Sequence, residues 1–300
     1  MSTLFVGLGM MGAPMVRHLA GTTDLLLFDL SPAAQTLAGE LGATALPALS
    51  AIPDHVESVI LMLPNSRIIE SVLLDDGVLE RLAPGSIVID MSSSLPASTR
   101  ELANRASALG VDFVDAPVSG GVAKARTGEL AIMAGGEARA VERAGTIVAP
   151  MSAAFIHVGP SGAGHAAKAL NNLLSATNLA AIAEVLVVGA RFGIDPAVLV
   201  DVINASTGRS QASEVKYPQQ VLTGAYASGF ALDLMVKDLR IALTLADDLG
   251  VDSPVTRAAT ASTESALHDL GGVGLDHTQI AEWYEKAHDV LLRPHERNSS

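Results

Sequence analysis

Apolar residues follow two different patterns along this chain, and the pattern changes near residue 162. Before that point, short apolar runs alternate with stretches of helix-forming composition, which is typical of a doubly wound, largely parallel sheet. Beyond it, apolar residues recur only at the spacing of helices. The sequence therefore predicts an α/β domain over residues 1–161 and an all-α domain over residues 162–300. The runs that we predict to be strands are 4–8, 25–28, 58–63, 86–91, 112–116, 130–134 and 154–158.

A long helix from His165 to Arg191 is predicted to join the two domains. Its apolar part contains Ser175, Asn178 and Glu184, which favours a helix buried in protein over a membrane span. The remaining helices follow from start signals such as Ser and Pro and from stop signals such as Gly. They are predicted at 32–41, 68–74, 96–109, 137–148, from Pro196 onward, 213–223, 234–249, 254–270 and 277–292.

The charge and the cysteine content exclude several classes of partner. The formal net charge is -13, whereas nucleic acids and anionic membranes select clustered Lys and Arg, so we expect neither as a partner. With no cysteine and no metal-ligand spacing among its eight His residues, the chain is predicted to hold no metal. No basic segment precedes the first apolar run, so no signal peptide is expected and we predict a cytoplasmic location.

A glycine-rich loop follows the first predicted strand directly and opens a helix. In that context the glycines allow a tight turn, close approach of the backbone to a pyrophosphate, and close packing of helix on strand. The N-terminus of the helix also attracts negative charge. We therefore assign to a dinucleotide the residues Gly7, Leu8, Gly9, Met10, Met11 and Gly12.

Asp29 follows the second predicted strand, about 20 residues beyond the glycine loop, where an acidic side chain can bind the ribose hydroxyls of an adenosine. The same carboxylate would repel a 2′-phosphate, and neither Leu30 nor Ser31 offers a cation to hold one. The cofactor is therefore predicted to be NAD and not NADP. The alternative is that Asp29 only caps the turn before Ser31 and Pro32.

Two further segments have the composition of a substrate site. Residues 115–121 leave a strand and enter a predicted irregular loop, in which backbone N–H groups and the Ser119 hydroxyl suit a carboxylate. A loop with no ligand is the alternative. Lys168 and Asn172 lie one helical turn apart, and a partly desolvated lysine near positive charge has a lowered pKa that suits proton transfer near neutral pH. A solvated helix face is the alternative there, and His165 is more simply a helix-start residue.

Together these motifs resemble those of the β-hydroxyacid dehydrogenase family, which includes 3-hydroxyisobutyrate dehydrogenase and tartronate semialdehyde reductase. The resemblance implies a Rossmann domain followed by an all-helical domain, and a homodimer or homotetramer formed through the helical domains. It covers nearly the whole chain in the expected order. The segments that carry it are residues 7–12, 62–64, 90–94, 115–121, 162–172 and 237–246.

The resemblance also implies roles for the matched residues. Lys168 would be the catalytic acid/base and Asn172 its neighbour in the site. Ser93 stands where many members have Thr, which keeps the hydroxyl. The substrate carboxylate would bind Ser119, Gly120 and Gly121, and the cofactor would also contact Leu63, Pro64, Ser93 and Lys237. For Lys237 and Asp238, an ordinary charged pair on a helix is the alternative.

The predicted function is NAD-dependent oxidation of a small 3-hydroxy acid to a semialdehyde or keto acid, with Lys168 as general base. The nearest alternative is a reductase of a semialdehyde such as tartronate semialdehyde, and a nucleotide-binding protein without catalysis is a rival from another class. Decarboxylating phosphogluconate-type dehydrogenases need a longer chain. Arg209, Lys216 and Phe230 either face the substrate or serve in salt bridges and packing.

Overall fold

The computed structural model describes residues 1–294 and divides the chain into two compact units, which meet between Lys168 and Ala169. Unit 1 begins at Met1 and contains every strand of the described chain. Unit 2 begins at Ala169 and is helical, apart from an isolated bridge between Ala231 and Asp276. The α/β and all-α fold classes are therefore confirmed.

Unit 1 forms one sheet of nine strands in the order β3-β2-β1-β4-β5-β6-β8-β7, with β9 paired to β8. Strands β1 to β6 are mutually parallel, whereas β8 is antiparallel to both β6 and β7. All seven predicted strands are confirmed, and β3 and β7 were not predicted. The strands are β1 (Ser2–Val6), β2 (Asp24–Phe28), β3 (Thr44–Ala45), β4 (Ser58–Leu61), β5 (Ile87–Asp90), β6 (Asp112–Asp115), β7 (Val118–Ser119), β8 (Leu130–Gly135) and β9 (Ser152–Gly159).

Both faces of the parallel part of the sheet are buried, which explains why its strands read as continuous apolar runs. In β1, Leu4 and Val6 belong to one buried cluster and Phe5 to the other. The same alternation separates Leu26 from Leu27 in β2. Complete burial of each such side chain contributes roughly 1.5–3 kcal/mol to folding, so alternate residues of one strand hold the helices on opposite faces.

The helices of unit 1 connect the strands. The four helices predicted between strands are confirmed to within a few residues, and α3 continues as a π-helical turn over Ser71–Asp75. The prediction of an irregular loop over residues 115–121 was wrong in part, because Val118 and Ser119 pair with β8 and Gly121 begins a helix. The helices are α1 (Gly12–Val16), α2 (Ala33–Leu41), α3 (Ser66–Glu70), α4 (Val78–Arg81), α5 (Pro96–Ala108), α6 (Gly121–Thr127) and α7 (Ala138–Val148).

The long predicted helix is confirmed as α8 (Ala163–Phe192), which begins in unit 1 and continues through unit 2. Asp195 caps the next helix as predicted, because its carboxylate accepts from the N–H groups of Ala197 and Val198. The last helix ends at His288 and not at residue 292 as predicted. The other elements of unit 2 are α9 (Pro196–Asn204), a π-helix (Ala212–Val221), α10 (Leu232–Asp248), α11 (Pro254–Asp269), a 3₁₀ turn (His277–Gln279) and α12 (Ile280–His288).

Among the described residues, α8 is the one helix that is long and apolar enough to cross a membrane by length and composition. Half of its most apolar stretch is buried in the structure, as is usual for a core helix. Several large apolar side chains nevertheless remain exposed at spacings that place them on one face. We call this set the α8 stripe; it consists of Leu174, Val185, Val188 and Phe192.

Candidate active site

The residues assigned to the cofactor, except Lys237 of α10, lie in loops that leave neighbouring parallel strands at the same edge of the sheet. Strands β2, β1, β4 and β5 are adjacent in that order and run in one direction. Each is followed by one of the predicted cofactor segments. The carboxyl edge of such a sheet is where doubly wound folds bind ligands. The segments are 7–12 after β1, Asp29 after β2, Leu63 and Pro64 after β4, and Ser93 after β5.

The three glycines of the first loop meet different surroundings. A Cβ added to Gly7 would lie 2.3 Å from the Met62 carbonyl oxygen, and one added to Gly12 would lie 1.9 Å from the Gly7 carbonyl oxygen. Both positions therefore require glycine for packing, and Gly7 also has a positive φ of 96°. A Cβ on Gly9 would meet no protein atom within 4 Å. Packing does not explain that glycine, whereas close approach of the backbone to a pyrophosphate does.

Asp29 is tied to this loop through its carboxylate. Oδ2 accepts from the Leu8 N–H at 2.6 Å, and Oδ1 accepts from the Ser31 N–H at 2.8 Å. Partial burial raises the pKa of Asp29, but hydrogen bonds from Leu8 and Ser31 outweigh it and hold the pKa below its ordinary value. The residue is thus an ionised acceptor and caps the turn. Each oxygen retains a further lone pair that can accept a ribose hydroxyl.

The loops after β4 and β5 are joined by a serine that the sequence did not single out. The Ser92 hydroxyl accepts from the Leu63 N–H at 2.9 Å, and the Ser92 N–H donates to the Asp90 carboxylate at 3.0 Å. Ser93 is half-buried beside this connection, and Pro64 is exposed. Ser92 and Asp90 therefore hold in place the backbone on which both predicted cofactor residues lie.

The segment predicted to bind the substrate carboxylate follows β6. Ser119 pairs with Ala131 of β8 and is half-buried. Gly120 and Gly121 have φ values of 132° and 65°, a region that a side chain would strain. A Cβ on Gly120 would also lie 2.7 Å from the Lys124 Cβ. The paired glycines are therefore required by the local backbone, and they leave it accessible at this position.

The first turn of α8 is attached to the end of β6. The buried carboxylate of Asp115 accepts from the Gly162 N–H at 2.8 Å and from the His165 N–H at 2.9 Å. His165 is buried, and its Nδ1 lies 2.7 Å from the Thr99 hydroxyl of α5. His165 therefore serves as a packed helix-start residue. Asp115 opens the segment singled out in the sequence but was given no role there, and Thr99 was not singled out.

Lys168 is half-buried on the second turn of α8, one turn before Asn172. Asn172 is buried, so it does not belong to a solvated helix face. Its side-chain Nδ2 donates to the Asp238 carboxylate of α10 at 2.6 Å, and the Lys237 Nζ lies 3.5 Å from the same carboxylate. The sequence left an ordinary charged pair as the alternative for Lys237 and Asp238; the two are paired, but Asp238 is also buried and orients the Asn172 amide.

The three residues left open in the helical region have different surroundings. Phe230 packs edge-on against His277, with ring centroids 5.4 Å apart. Burial lowers the pKa of the half-buried Lys216, and the negative charge of Asp276 opposes this effect. Arg209 is exposed. Within residues 1–294, no group of three or more His, Asp or Glu is placed to hold a metal ion.

Comparison with known proteins matches each part of the chain to a family of dehydrogenase domains. Residues 3–159 match the family described as the NAD binding domain of 6-phosphogluconate dehydrogenase, and residues 162–284 match the NAD-binding family of NADP-dependent 3-hydroxyisobutyrate dehydrogenase. The 2-(hydroxymethyl)glutarate dehydrogenase of Eubacterium barkeri is 39% identical, over 85% of this chain and 86% of that protein. The chain belongs to the β-hydroxyacid dehydrogenase family. It is accordingly an oxidoreductase, with NAD as its cofactor.

Two further members of the β-hydroxyacid dehydrogenase family agree with this assignment along almost the whole chain. The 3-hydroxyisobutyrate dehydrogenase of Pseudomonas aeruginosa is 38% identical, over 93% of this chain and 97% of that protein. A structure of the 3-hydroxyisobutyrate dehydrogenase of Mycobacterium tuberculosis with L-serine has a TM-score of 0.88 at 31% identity, and the match covers 94% of this chain and 98% of that one.

Proposed function

We propose that the protein oxidises a 3-hydroxy acid whose alcohol is primary, of the form HOCH2–CHR–COO⁻, to the corresponding semialdehyde. One observation carries the proposal. The first turn of α8 is bonded to the end of β6, and β6 leads directly into the segment of Ser119 to Gly121. Lys168 follows one turn later. The end of β6 thus connects Lys168, the proposed base, to the segment proposed to bind the carboxylate.

The substrate class is supported by what the relatives act on or bind. Their names give 2-(hydroxymethyl)glutarate and 3-hydroxyisobutyrate, and L-serine accompanies the structure of the third. These acids share a primary alcohol on the carbon next to the one that bears the carboxylate. They differ only in the substituent R. We therefore propose that the common part binds through Ser119, Gly120 and Gly121, and that residues outside this segment select R.

In the proposed reaction, the Ser119 hydroxyl and the backbone N–H groups of Gly120 and Gly121 hold the carboxylate. Lys168, as the neutral amine, accepts the proton of the substrate hydroxyl while a C–H bond of the carbon that bears this hydroxyl breaks and a hydride leaves. NAD, when bound, supplies the acceptor for that hydride. A carbonyl forms and the amine becomes an ammonium, so charge and atoms balance. Reduction of the semialdehyde follows the same steps in reverse.

The cofactor would be held by the loops at the carboxyl edge of the sheet. The glycine loop from Gly7 to Gly12 would receive the pyrophosphate, and the Asp29 carboxylate would accept from the ribose hydroxyls. Leu63, Pro64 and Ser93 would lie along the same edge, and Lys237 would approach the nicotinamide end. The accessible backbone of Gly9 and the ionised Asp29 fit this use.

The test is NADH formation with 3-hydroxyisobutyrate, L-serine, glycerate, threonate and 3-hydroxypropionate, in the parent protein and in Lys168→Ala. We expect turnover on at least one acid, with a loss of several orders of magnitude in Lys168→Ala and little change in NADH affinity. Lys286→Ala removes an exposed lysine that pairs with Glu282 and should match the parent. Near-parental turnover of Lys168→Ala would refute the assignment of the base.

The main competing assignment is a reductase that acts physiologically on a semialdehyde such as tartronate semialdehyde. It uses the same residues in the opposite direction. NADH oxidation by that semialdehyde, compared with NAD reduction by each acid, separates the two by the ratio of kcat/KM values. A protein that binds NADH but turns over neither set of substrates would support the rival of nucleotide binding without catalysis.

We also propose that the protein is a cytoplasmic homodimer or homotetramer, without a nucleic-acid or membrane partner. The net charge of -13 disfavours anionic partners. The α8 stripe supports self-association, because Val188 and Phe192 lie exposed on one face of a helix whose opposite face is buried. Large apolar side chains that are exposed together on one helix face are typical of a protein interface.

A further inference from the structure

Asp115 is a buried carboxylate to which the proposed reaction gives no chemical role. It is fully inaccessible to solvent and ends β6. Both of its oxygens accept from backbone N–H groups at the start of α8, those of Gly162, which directly precedes the helix, and of His165 in its first turn. Gly162 has no side chain to cap the helix, so a strand end 47 residues earlier in the chain provides the cap. Such charge-assisted hydrogen bonds are stronger than neutral ones.

The contact leaves little room for movement. A Cβ on Gly164 would lie 2.4 Å from the Met133 carbonyl oxygen and 2.7 Å from the Asp115 carbonyl oxygen. A Cβ on Gly135 would lie 2.7 Å from the Asp115 Oδ1 atom. The glycines on either side of the carboxylate therefore allow the helix backbone to lie directly on β6 and β8. On the other side, His165 is held by Thr99.

We propose that Asp115 is a positioning residue that sets the location of Lys168 relative to the segment of Ser119 to Gly121. The inference rests on the proposed role of Lys168 as the base. Lys168 lies three residues beyond His165, so any displacement of the first turn moves the amine with it. The substrate-binding segment begins four residues beyond Asp115 on the other side. Reacting groups tolerate little displacement, since an error of about 1 Å can cost about 100-fold in rate.

The principal test is Asp115→Asn, which keeps the shape but replaces one acceptor oxygen by an NH2 group that cannot accept from Gly162 or His165. Turnover with NAD and either 3-hydroxyisobutyrate or L-serine is measured per NADH-binding site, with the sites counted by fluorescence titration. We expect kcat to fall at least about tenfold while the Kd of NADH stays within about twofold. Normalising to NADH-binding sites removes any loss that is due to unfolded protein.

The matched control is Asp195→Ala. Asp195 also caps a helix, α9, but its Oδ1 alone accepts from two backbone N–H groups, at distances of 2.8 and 3.2 Å. Asn would keep that acceptor, so Ala is used to remove the cap. Its helix carries none of the proposed site residues. Both variants should lower the melting temperature by a few degrees, but Asp195→Ala should retain kcat within about twofold. A purely structural role of Asp115 predicts that the two variants behave alike.

If Asp115→Asn fails to fold, Gly164→Ala tests the same inference, because its new Cβ would lie 2.8 Å from the Asp115 Oδ2 atom and so pushes the first turn away from the carboxylate. Gly39→Ala, in α2 with no atom within 4 Å of the new Cβ, is its control. The inference is overturned if the folded variant keeps more than a tenth of the parental kcat while Lys168→Ala is inactive. Parental turnover of Lys168→Ala would instead overturn the proposed function.

Discussion

The side-chain amide of Asn172 donates a hydrogen bond of 2.6 Å to the carboxylate of Asp238, and both side chains are buried. A carboxylate can only accept, so the amide must turn its NH2 group toward Asp238 and its carbonyl oxygen away. The Lys237 Nζ lies 3.5 Å from the other oxygen of Asp238. Asp238 therefore fixes the orientation of the polar group that follows Lys168 by one helical turn.

Removing Asp238 is expected to destabilise the protein by about 1–3 kcal/mol, because the Asn172 amide would remain buried without its acceptor. Urea denaturation of Asp238→Ala, Asn172→Ala and the double variant measures the coupling energy between the two residues. This energy should be a large part of the destabilisation that each single variant shows. The control is Glu264→Ala. It removes the partner of Arg240, an exposed arginine that lies in α10 like Asp238, and should change stability by less than about 0.5 kcal/mol. Additive effects of the two buried residues would contradict this prediction.

Cofactor choice should depend on Asp29. The parent is expected to have a higher kcat/KM with NAD than with NADP, because the ionised carboxylate repels a 2′-phosphate. Asp29→Ser combined with Leu30→Arg should reverse the preference by replacing the negative charge and adding a cation at an exposed position. Leu30→Arg alone is the control and should still favour NAD. Preference of the parent for NADP would refute the role of Asp29.

Gly9 and Gly12 should respond differently to alanine. Gly12→Ala brings a Cβ to 1.9 Å from the Gly7 carbonyl oxygen, and such overpacking typically costs about 1–3 kcal/mol. Gly9→Ala meets no protein atom, so the protein should keep its melting temperature but bind NADH at least about tenfold more weakly. Thermal denaturation and NADH titration of both variants decide the matter. Unchanged NADH affinity in Gly9→Ala would argue against pyrophosphate binding at this loop.

Stability should fall as the pH is lowered through about 6.5, the ordinary pKa of histidine. Burial, helped by the charge of Lys216, lowers the pKa of His277 in the folded protein, and Asp276 only partly opposes this. Just below pH 6.5 the unfolded chain therefore binds more protons than the folded chain, and the free energy of unfolding decreases. His277→Gln should flatten this dependence, which urea titrations at several pH values measure.

The α8 stripe should be needed for self-association. Val188→Asp places a charge in the middle of this exposed apolar face and should yield monomers in light scattering after size-exclusion chromatography. Val273→Asp, at an exposed position in a turn outside the stripe, should keep the parental mass. A parent that is already monomeric at micromolar concentration would refute the proposed assembly.

The sequence predicted the central strands because both of their faces are buried, which gives continuous apolar runs that are easy to recognise. The strands that it missed, β3 and β7, have two residues each and depend on pairing with distant segments. The end of α12 was predicted too late because residues 289–292 are mostly apolar. There the Glu285 carboxylate accepts from the Leu292 N–H, and Asp289 takes a left-handed conformation, so the chain turns away.

The chemically obvious candidates of the site could be chosen from local motifs, but the residues that orient them could not. Asp115 acts on Gly162 and His165, and Asp238 acts on Asn172, across 47 to 66 residues of sequence. No spacing rule connects positions that far apart. The available signal was weaker: an acidic residue at the end of a buried strand, as at Asp90 and Asp115, needs hydrogen-bond donors inside the protein.

The unequal packing of the loops at the carboxyl edge has a consequence for how the protein can diversify. Strand residues such as Leu4 and Phe5 are committed to the two cores, so substitutions there carry a folding penalty. Gly9 and Leu30, in contrast, lie beside the proposed dinucleotide site and carry almost no packing constraint. Substitutions at these two positions can therefore change how the cofactor is bound without a loss of stability, which makes this edge the natural starting point for laboratory evolution.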